Sequence, residues 1–277
     1  MEALRQVDAW PAPHVAVGVL RRAEVVATNG AVDRAFRWAS VTKLVTALAA
    51  LVAAEEGTID LDEPAGPEGS TVRHLLAHAS GLPFERGGPV SRVGRRRIYS
   101  NVGFETLADV VAARAEMPFA EYLQAAVLGP LGMGAELRGS PASELYGTLG
   151  DLLLLAAELQ HPRVLADETL AEATSVQFAG LAGVLPDIGR MDPNDWGLGF
   201  ELRDSKSPHW TGSQNSQRTF GHFGGSGTFL WVDPDAQVAL ACLTDLDFGA
   251  WALDAWPALS DAVLLEAGQS SANSGLT

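Results

Sequence analysis

The pattern of hydrophobic and polar residues predicts strands near both ends of the chain and helices between them. Short runs typical of strands occupy 14–20, 24–28, 196–202, 227–232 and 238–243. Helical patterns cover about 40–56, a short stretch after Thr71, most of 101–159, and about 250–266. This order favours an α+β fold: one antiparallel sheet is built from N- and C-terminal strands and flanked by helices, and a mainly helical region is inserted between them.

Residues that start or stop helices refine these boundaries. Ser40 is expected to cap the first long helix, and Gly57 to end it. Breaks are expected at Gly129-Pro130 and Gly132. The predicted division is a sheet region (1–57 and 190–268), a helical region (58–189) and a disordered tail (269–277), with the first two packed as one compact catalytic unit.

Composition narrows the classes of partner. The formal net charge of -15 and the pI near 4.7 disfavour binding to nucleic acid and to anionic membranes. The single cysteine, Cys242, lies in an apolar run, so we expect a buried strand residue and no intramolecular disulfide. No secretory signal and no apolar stretch of membrane-spanning length is evident. We therefore expect a cytoplasmic protein whose partner is a small molecule, and the oligomeric state is left open.

The first candidate for chemistry is Lys43, one of only two lysines among nineteen basic residues. An arginine keeps its proton near neutral pH, whereas a desolvated lysine can lose it and act as a base. Ser40 lies three residues earlier, and this spacing places both side chains on one face of a helix. The pair therefore predicts a serine nucleophile that is activated by lysine.

Two further motifs carry polar or flexible groups. Tyr99 and Asn101 occupy alternate positions, so both side chains could point the same way from an extended segment. A lysine ammonium nearby would favour the anionic form of Tyr99. The glycine-rich segment 221–228 precedes a predicted strand, where glycines allow a ligand to approach the backbone. It matches neither a nucleophile elbow nor a phosphate-binding loop.

In this order, Ser40-x-x-Lys43, Tyr99-x-Asn101 and His222-x-Gly224 resemble the motifs of a known family of serine hydrolases. The family comprises the class C β-lactamases, the penicillin-binding D,D-peptidases and related esterases (family VIII). Segments 57–64 and 74–82 also resemble the family, and the similarity covers roughly 14–265. It implies the β-lactamase/transpeptidase-like α/β sandwich as the fold.

The resemblance implies a role for each matching residue. Ser40 would be the acylated nucleophile, and Lys43 and Tyr99 would share the role of general base. The backbone N–H groups of Ser40 and Gly225 would form the oxyanion hole. Asn101 would hold the Lys43 ammonium and a substrate carbonyl.

The third motif departs from that of the β-lactamases. His222 stands where they have a lysine and completes the polar lining, and Phe223 replaces a hydroxyl residue before Gly224. Phe223 cannot help to bind the carboxylate of a β-lactam or a D-alanyl peptide. This departure favours a carboxylesterase that acts on small or medium esters.

Several alternatives remain open from the sequence. A β-lactamase or a D-stereospecific peptidase is the second hypothesis, and the arginines of 92–97 could then supply the missing cation. A non-catalytic binding or scaffold protein is the third. His74 and His78 have the i,i+4 spacing of zinc ligands, but the resemblance explains both as structural. We expect neither a metal nor another cofactor.

Overall fold

The computed structural model of the protein describes residues 1–274, with side chains up to Gln269. The strands of this part of the chain are β1 (Val15–Arg21), β2 (Glu24–Gly30), β3 (Phe36–Arg37), β4 (Glu136–Leu137), β5 (Leu145–Gly147), β6 (Gly183–Leu185), β7 (Gly189–Met191), β8 (Glu201–Leu202), β9 (Phe220–Gly224), β10 (Thr228–Asp233) and β11 (Val238–Thr244). Its α-helices are α1 (Thr42–Glu55), α2 (Val72–Leu76), α3 (Asn101–Ala115), α4 (Phe119–Leu123), α5 (Gly129–Leu131), α6 (Leu149–Gln160), α7 (Asp167–Ala173) and α8 (Ala250–Ser274). The described helices also include two 3-10 helices (Glu2–Ala9 and Ala39–Val41) and a π-helical turn (Gln124–Leu128).

A six-stranded antiparallel sheet joins the two ends of the chain, in the order β2-β1-β11-β10-β9-β8. Strand β1 pairs with β11, so that Val17 lies opposite Cys242. The hairpin predicted at 14–28 is present as β1 and β2. The α+β fold with an antiparallel sheet built from both termini is therefore confirmed. The division of the chain at 57 and 190 stays a prediction. Helix α6 belongs to the predicted helical region, yet it packs directly on β1 of the sheet, where Gly18 faces Leu153.

Helices cover both faces of the sheet, which explains why its central strands are apolar throughout. In β11, Ala239, Ala241 and Leu243 belong to the core shared with α1 and α6. The alternate residues Val238, Leu240 and Cys242 belong to a second core, shared with α8 and the N-terminal 3-10 helix. Successive side chains of a strand point to opposite faces. A strand between two helical layers therefore needs an uninterrupted apolar run, and Cys242 is buried within it as expected.

Three predicted boundaries are wrong, each for a local reason. Ser40 does not cap α1, because it lies within a 3-10 turn and Val41 occupies the N-cap position, without a side-chain capping hydrogen bond. The predicted strand at 196–202 shortens to β8, because Gly199 has a φ of 87° and turns the chain. The helical backbone runs through Gly129-Pro130, where a π-helical turn precedes the proline, and it ends at Gly132.

The C-terminal helix is longer than predicted. Helix α8 continues to Ser274 through most of the segment predicted to be disordered. The Glu266 carboxylate accepts hydrogen bonds from the backbone N–H groups of Glu2 and Ala3, at 3.0 and 2.9 Å, which fastens this part of α8 to the N-terminus. Residues 275–277 of the predicted tail lie outside the described residues. Among the described helices, none has the length and apolar character needed to cross a membrane.

Candidate active site

Ser40 and Lys43 meet where the 3-10 turn leads into α1. Ser40 is partly exposed, whereas Lys43 is buried in the first turn of the helix. Lys43 Nζ lies 3.4 Å from Ser40 Oγ, and it donates to Asn101 Oδ1 at 2.6 Å and to the Ala142 carbonyl at 2.9 Å. The amine therefore lies beside the hydroxyl, held by two neutral acceptors and no carboxylate.

This environment makes the Lys43 amine easy to deprotonate. Burial lowers the pKa of Lys43 from 10.5 to about 7, and the charge of Glu105 only partly opposes this effect. The ring of Tyr99, whose centroid lies 4.7 Å from Nζ, stabilises the cation weakly. Near neutral pH the amine can therefore accept a proton.

Tyr99 and Asn101 are positioned by the residue between them. Ser100 has an extended backbone and caps α3, accepting a hydrogen bond from the Gly103 N–H at 2.8 Å. Asn101 then begins the helix with its side chain on Lys43. Both motif residues face the same site, as the alternate spacing predicts.

Tyr99 stays protonated, contrary to the expectation of a favoured phenolate. Burial raises the pKa of Tyr99 well above its usual value, and a hydrogen bond with Ser40 opposes this only in part. The phenol is thus a proton donor in this state of the protein.

His222 is a neutral hydrogen-bond acceptor on β9. Its Nδ1 lies 2.6 Å from the Phe223 carbonyl, which can only accept, so Nδ1 carries the hydrogen. Nε2 then accepts from the Tyr99 hydroxyl at 3.3 Å. Burial and the nearby Lys43 lower the pKa of His222 to about 3, so it brings no positive charge at neutral pH.

The end of β9 lies directly against the turn that carries Ser40. A Cβ atom on Gly224 would come within 2.6 Å of the Trp38 carbonyl and 3.1 Å of Ala39 Cβ, so only glycine fits there. Gly225 follows on the exposed side. Phe223 is buried against Trp210, Phe248 and Trp256 and presents an apolar surface to the site.

A cavity of about 90 Å³ opens at Ser40. It brings together five predicted residues, which are Ser40, Tyr99, His222, Phe223 and Gly225. Lys43 and Asn101 lie behind Ser40, and Gly224 lies beneath the turn. The other half of the lining is not predicted by the sequence and consists of Phe84, Leu185, Pro186, Asp187 and Trp196. No motif marks these residues: 84 and 185–187 lie outside the predicted helices and strands, and Trp196 begins a predicted strand.

The arginines of 92–97 do not form a cationic patch in this cavity. Arg97 is buried, and its guanidinium donates to the carbonyls of Ala77, Asn194, Gln177 and Phe178. Arg92, Arg95 and Arg96 are exposed, and none of them lines the cavity at Ser40.

The two histidines with zinc-like spacing have other partners. His78 is buried, and its Nδ1 accepts from the Ser100 N–H at 3.1 Å, behind Tyr99. His74 Nδ1 lies 2.9 Å from the Thr71 hydroxyl. Among the described residues, no cluster of three or more His, Cys, Asp or Glu side chains has the arrangement of a metal site.

Comparison with known families decides the relationship of this chain. A model of the β-lactamase family matches residues 5–263. The chain belongs to the β-lactamase family. A crystal structure described as a β-lactamase from Mycobacterium bovis is 54% identical, with a TM-score of 0.94 over 96% of this chain and 99% of that one.

More distant structures share the fold of this β-lactamase-family protein. EstCE1, described as a hydrolase with promiscuous acyltransferase activity, is 17% identical, with a TM-score of 0.79 and coverage of 95% of this chain and 97% of that one. A mutant of simvastatin synthase from Aspergillus terreus is 16% identical, with a TM-score of 0.76 and coverage of 96% and 94%. Comparison with curated proteins gives no match.

Proposed function

We propose that this β-lactamase-family protein is a serine hydrolase, and that it acts as a carboxylesterase on small or medium esters through an acyl-enzyme at Ser40. The observation that carries the proposal is the buried Lys43 amine, with a pKa of about 7, next to the accessible Ser40 hydroxyl. A nucleophile within reach of a base that is neutral at working pH is the minimum requirement for acyl transfer.

In acylation, Lys43 Nζ takes the proton of Ser40 Oγ as Oγ bonds to the ester carbonyl carbon. The backbone N–H groups of Ser40 and Gly225 donate to the developing oxyanion, and each such donor is worth about 3 kcal/mol of barrier. Collapse of the tetrahedral intermediate breaks the bond to the alcohol oxygen. That oxygen takes a proton from the Tyr99 hydroxyl, which is replenished by the Lys43 ammonium. Water then repeats the sequence on the acyl-enzyme and releases the acid.

The charges of the cavity favour a neutral ester over a substrate with a carboxylate. His222 is uncharged at neutral pH and Phe223 is apolar, so neither supplies the cation that a carboxylate would need. The Asp187 side chain, on the rim of the same cavity, would repel an anion. Asn101 is left to donate its amide N–H groups to the acyl carbonyl or to a neighbouring polar atom.

A β-lactamase is the second candidate, and one observation favours it. The structure that is 54% identical to this chain is described as a β-lactamase. Penicillins would then have to bind without a lysine in the third motif. A non-catalytic binding role is disfavoured because a buried lysine without a carboxylate partner is costly to keep.

Intact-mass analysis after incubation with a fluorophosphonate and, separately, with penicillin tests this proposal. We expect one fluorophosphonate adduct on the wild type and none on Ser40→Ala, and we expect Ser40→Ala to lower kcat/KM for p-nitrophenyl acetate at least about 1,000-fold. Nitrocefin turnover faster than ester turnover would favour the β-lactamase, whereas a stable adduct with penicillin would indicate a penicillin-binding site that deacylates slowly. No adduct with either reagent would contradict a nucleophilic Ser40.

A further inference from the structure

A second cavity, of about 500 Å³, lies next to the one at Ser40. The two cavities share Phe84, Tyr99, Pro186 and Asp187 as lining residues, so Tyr99 borders both. The volume is within the range of small-molecule sites. A molecule whose carbonyl lies at Ser40 would enter this space if it extended past Tyr99.

Large apolar side chains are exposed on its walls. Phe84, Val90 and Val184 are 48%, 56% and 59% exposed, and all three line this cavity. Single exposed apolar residues are common, but a cluster around one concave surface marks a binding site. Covering these side chains with an apolar group would remove their surface from water.

The walls of the cavity are held by backbone contacts. The Arg97 N–H donates to the Ala182 carbonyl at 2.9 Å, and a Cβ atom on Gly183 would lie 2.5 Å from the Arg97 carbonyl, so β6 is packed tightly against this segment. On the other side, the Asn101 N–H donates to the Phe84 carbonyl at 3.0 Å. The apolar surface is thus formed before any ligand binds.

We propose that this cavity binds an apolar aliphatic or aryl group, of several carbons, attached to the ester whose carbonyl lies at Ser40. The identity of the ligand as an ester rests on the proposed function. Three charged residues line the cavity, namely Arg96, Arg97 and Asp187. The Arg97 guanidinium is taken up by backbone carbonyls, and Arg96 and Asp187 are of opposite sign, so the lining does not favour a charged ligand. The preferred substrate is then a neutral ester with one extended apolar arm.

The first experiment measures binding without turnover. In Ser40→Ala, dissociation constants are measured by NMR titration for methyl acetate, methyl hexanoate and hexyl acetate. We expect at least one of the two long esters to bind at least tenfold more tightly than methyl acetate, because each buried methylene strengthens binding by up to about fourfold. A preference for methyl hexanoate would assign the cavity to the acyl group, and a preference for hexyl acetate to the alcohol.

A matched pair of variants locates the effect. Val184→Asp, made in Ser40→Ala, should reduce the preference for the long ester to about twofold or less, because the carboxylate would be desolvated by the apolar arm. Val26→Asp is the control: Val26 is 50% exposed on β2 and does not line either cavity. Val90→Asp, in the other wall, should act like Val184→Asp and replaces it if that variant fails to fold.

The outcomes separate this proposal from the proposed function. Long esters that bind no better than methyl acetate, or an equal loss in Val26→Asp, would overturn the apolar subsite. If the long esters bind Ser40→Ala tightly but the wild type hydrolyses none of them, the subsite stands and the esterase proposal fails. If the wild type hydrolyses esters but Ser40→Ala binds long and short esters equally well, the esterase proposal stands and the apolar subsite fails.

Discussion

Burial acts in opposite ways on the two groups that could accept the Ser40 proton. It lowers the pKa of Lys43 to about 7, and it raises the pKa of Tyr99 above its usual range. Desolvation disfavours the charged form of each group, which is the ammonium for lysine and the phenolate for tyrosine. The neutral forms therefore coexist near pH 7, with Lys43 as the acceptor and Tyr99 as a donor. The scarcity of lysine predicts Lys43, but Lys206 is also buried and pairs with Glu201 at 2.6 Å. The serine three residues before Lys43 is what distinguishes the two.

The pKa of Lys43 sets an expected pH dependence. If the neutral amine is the base, as proposed, kcat/KM for p-nitrophenyl acetate should rise with pH and level off above an apparent pKa near 7. Lys43→Arg should lose at least about 100-fold in activity at pH 8, about as much as Lys43→Ala, because arginine keeps its proton. Rate profiles between pH 5.5 and 9 check both points. An arginine variant that keeps the rising limb would assign that pKa to another group.

At the level of elements, the site depends on contact between β9 and the turn before α1. The Thr228 hydroxyl donates to the Trp38 carbonyl at 2.8 Å, and the Ser226 hydroxyl donates to the Arg37 carbonyl at 2.9 Å. These bonds hold the β9–β10 turn against the chain leading to Ser40. This glycine-rich segment stands out in the sequence, but it is predicted to precede a strand. It missed that Phe220–Gly224 is itself a strand, because glycines weaken the strand signal and the pairing with β10 is set by tertiary contacts.

Gly224 provides a test of this contact. In Gly224→Ala, the new Cβ would force β9 away from Trp38 and Ala39, which displaces Gly225 from Ser40. We expect a loss of about 100-fold or more in kcat/KM, the cost of losing one oxyanion donor, in a protein that still folds. Activity is measured together with circular dichroism and Tm. Gly150→Ala, at the start of α6, is the control, because a Cβ there would meet only Thr148 Oγ1, at an ordinary contact distance of 3.5 Å. Full activity in Gly224→Ala would mean that the approach of β9 is not needed.

At the level of the whole molecule, the site is assembled from segments that are distant in sequence. The turn with Ser40, the Tyr99 segment and β9 carry motifs, and these could be located from the sequence. The fold could be predicted as well, because strand-like runs occur at both ends and helical periods lie between them. The wall formed by Pro186, Asp187 and Trp196 could not, because its position follows from long-range backbone contacts. Arg97 is the main anchor of those contacts. Its guanidinium donates hydrogen bonds to the backbone carbonyls of residues 77, 177, 178 and 194.

Arg97 should therefore be a determinant of stability and not of substrate charge. Arg97→Met would leave four carbonyl groups without their donor, at a cost of about 3–5 kcal/mol, and we expect Tm to fall by about 5–15 °C. Arg97→Lys should recover little of this loss, because one ammonium group cannot reproduce the spread of the guanidinium donors. Arg95→Met, at an exposed position two residues away, should shift Tm by no more than 1–2 °C. Thermal unfolding followed by circular dichroism measures all three. If Arg97→Met kept its Tm but lost activity only on anionic esters, Arg97 would have to reach the substrate, and the anchoring role assigned to its four carbonyl contacts would be wrong.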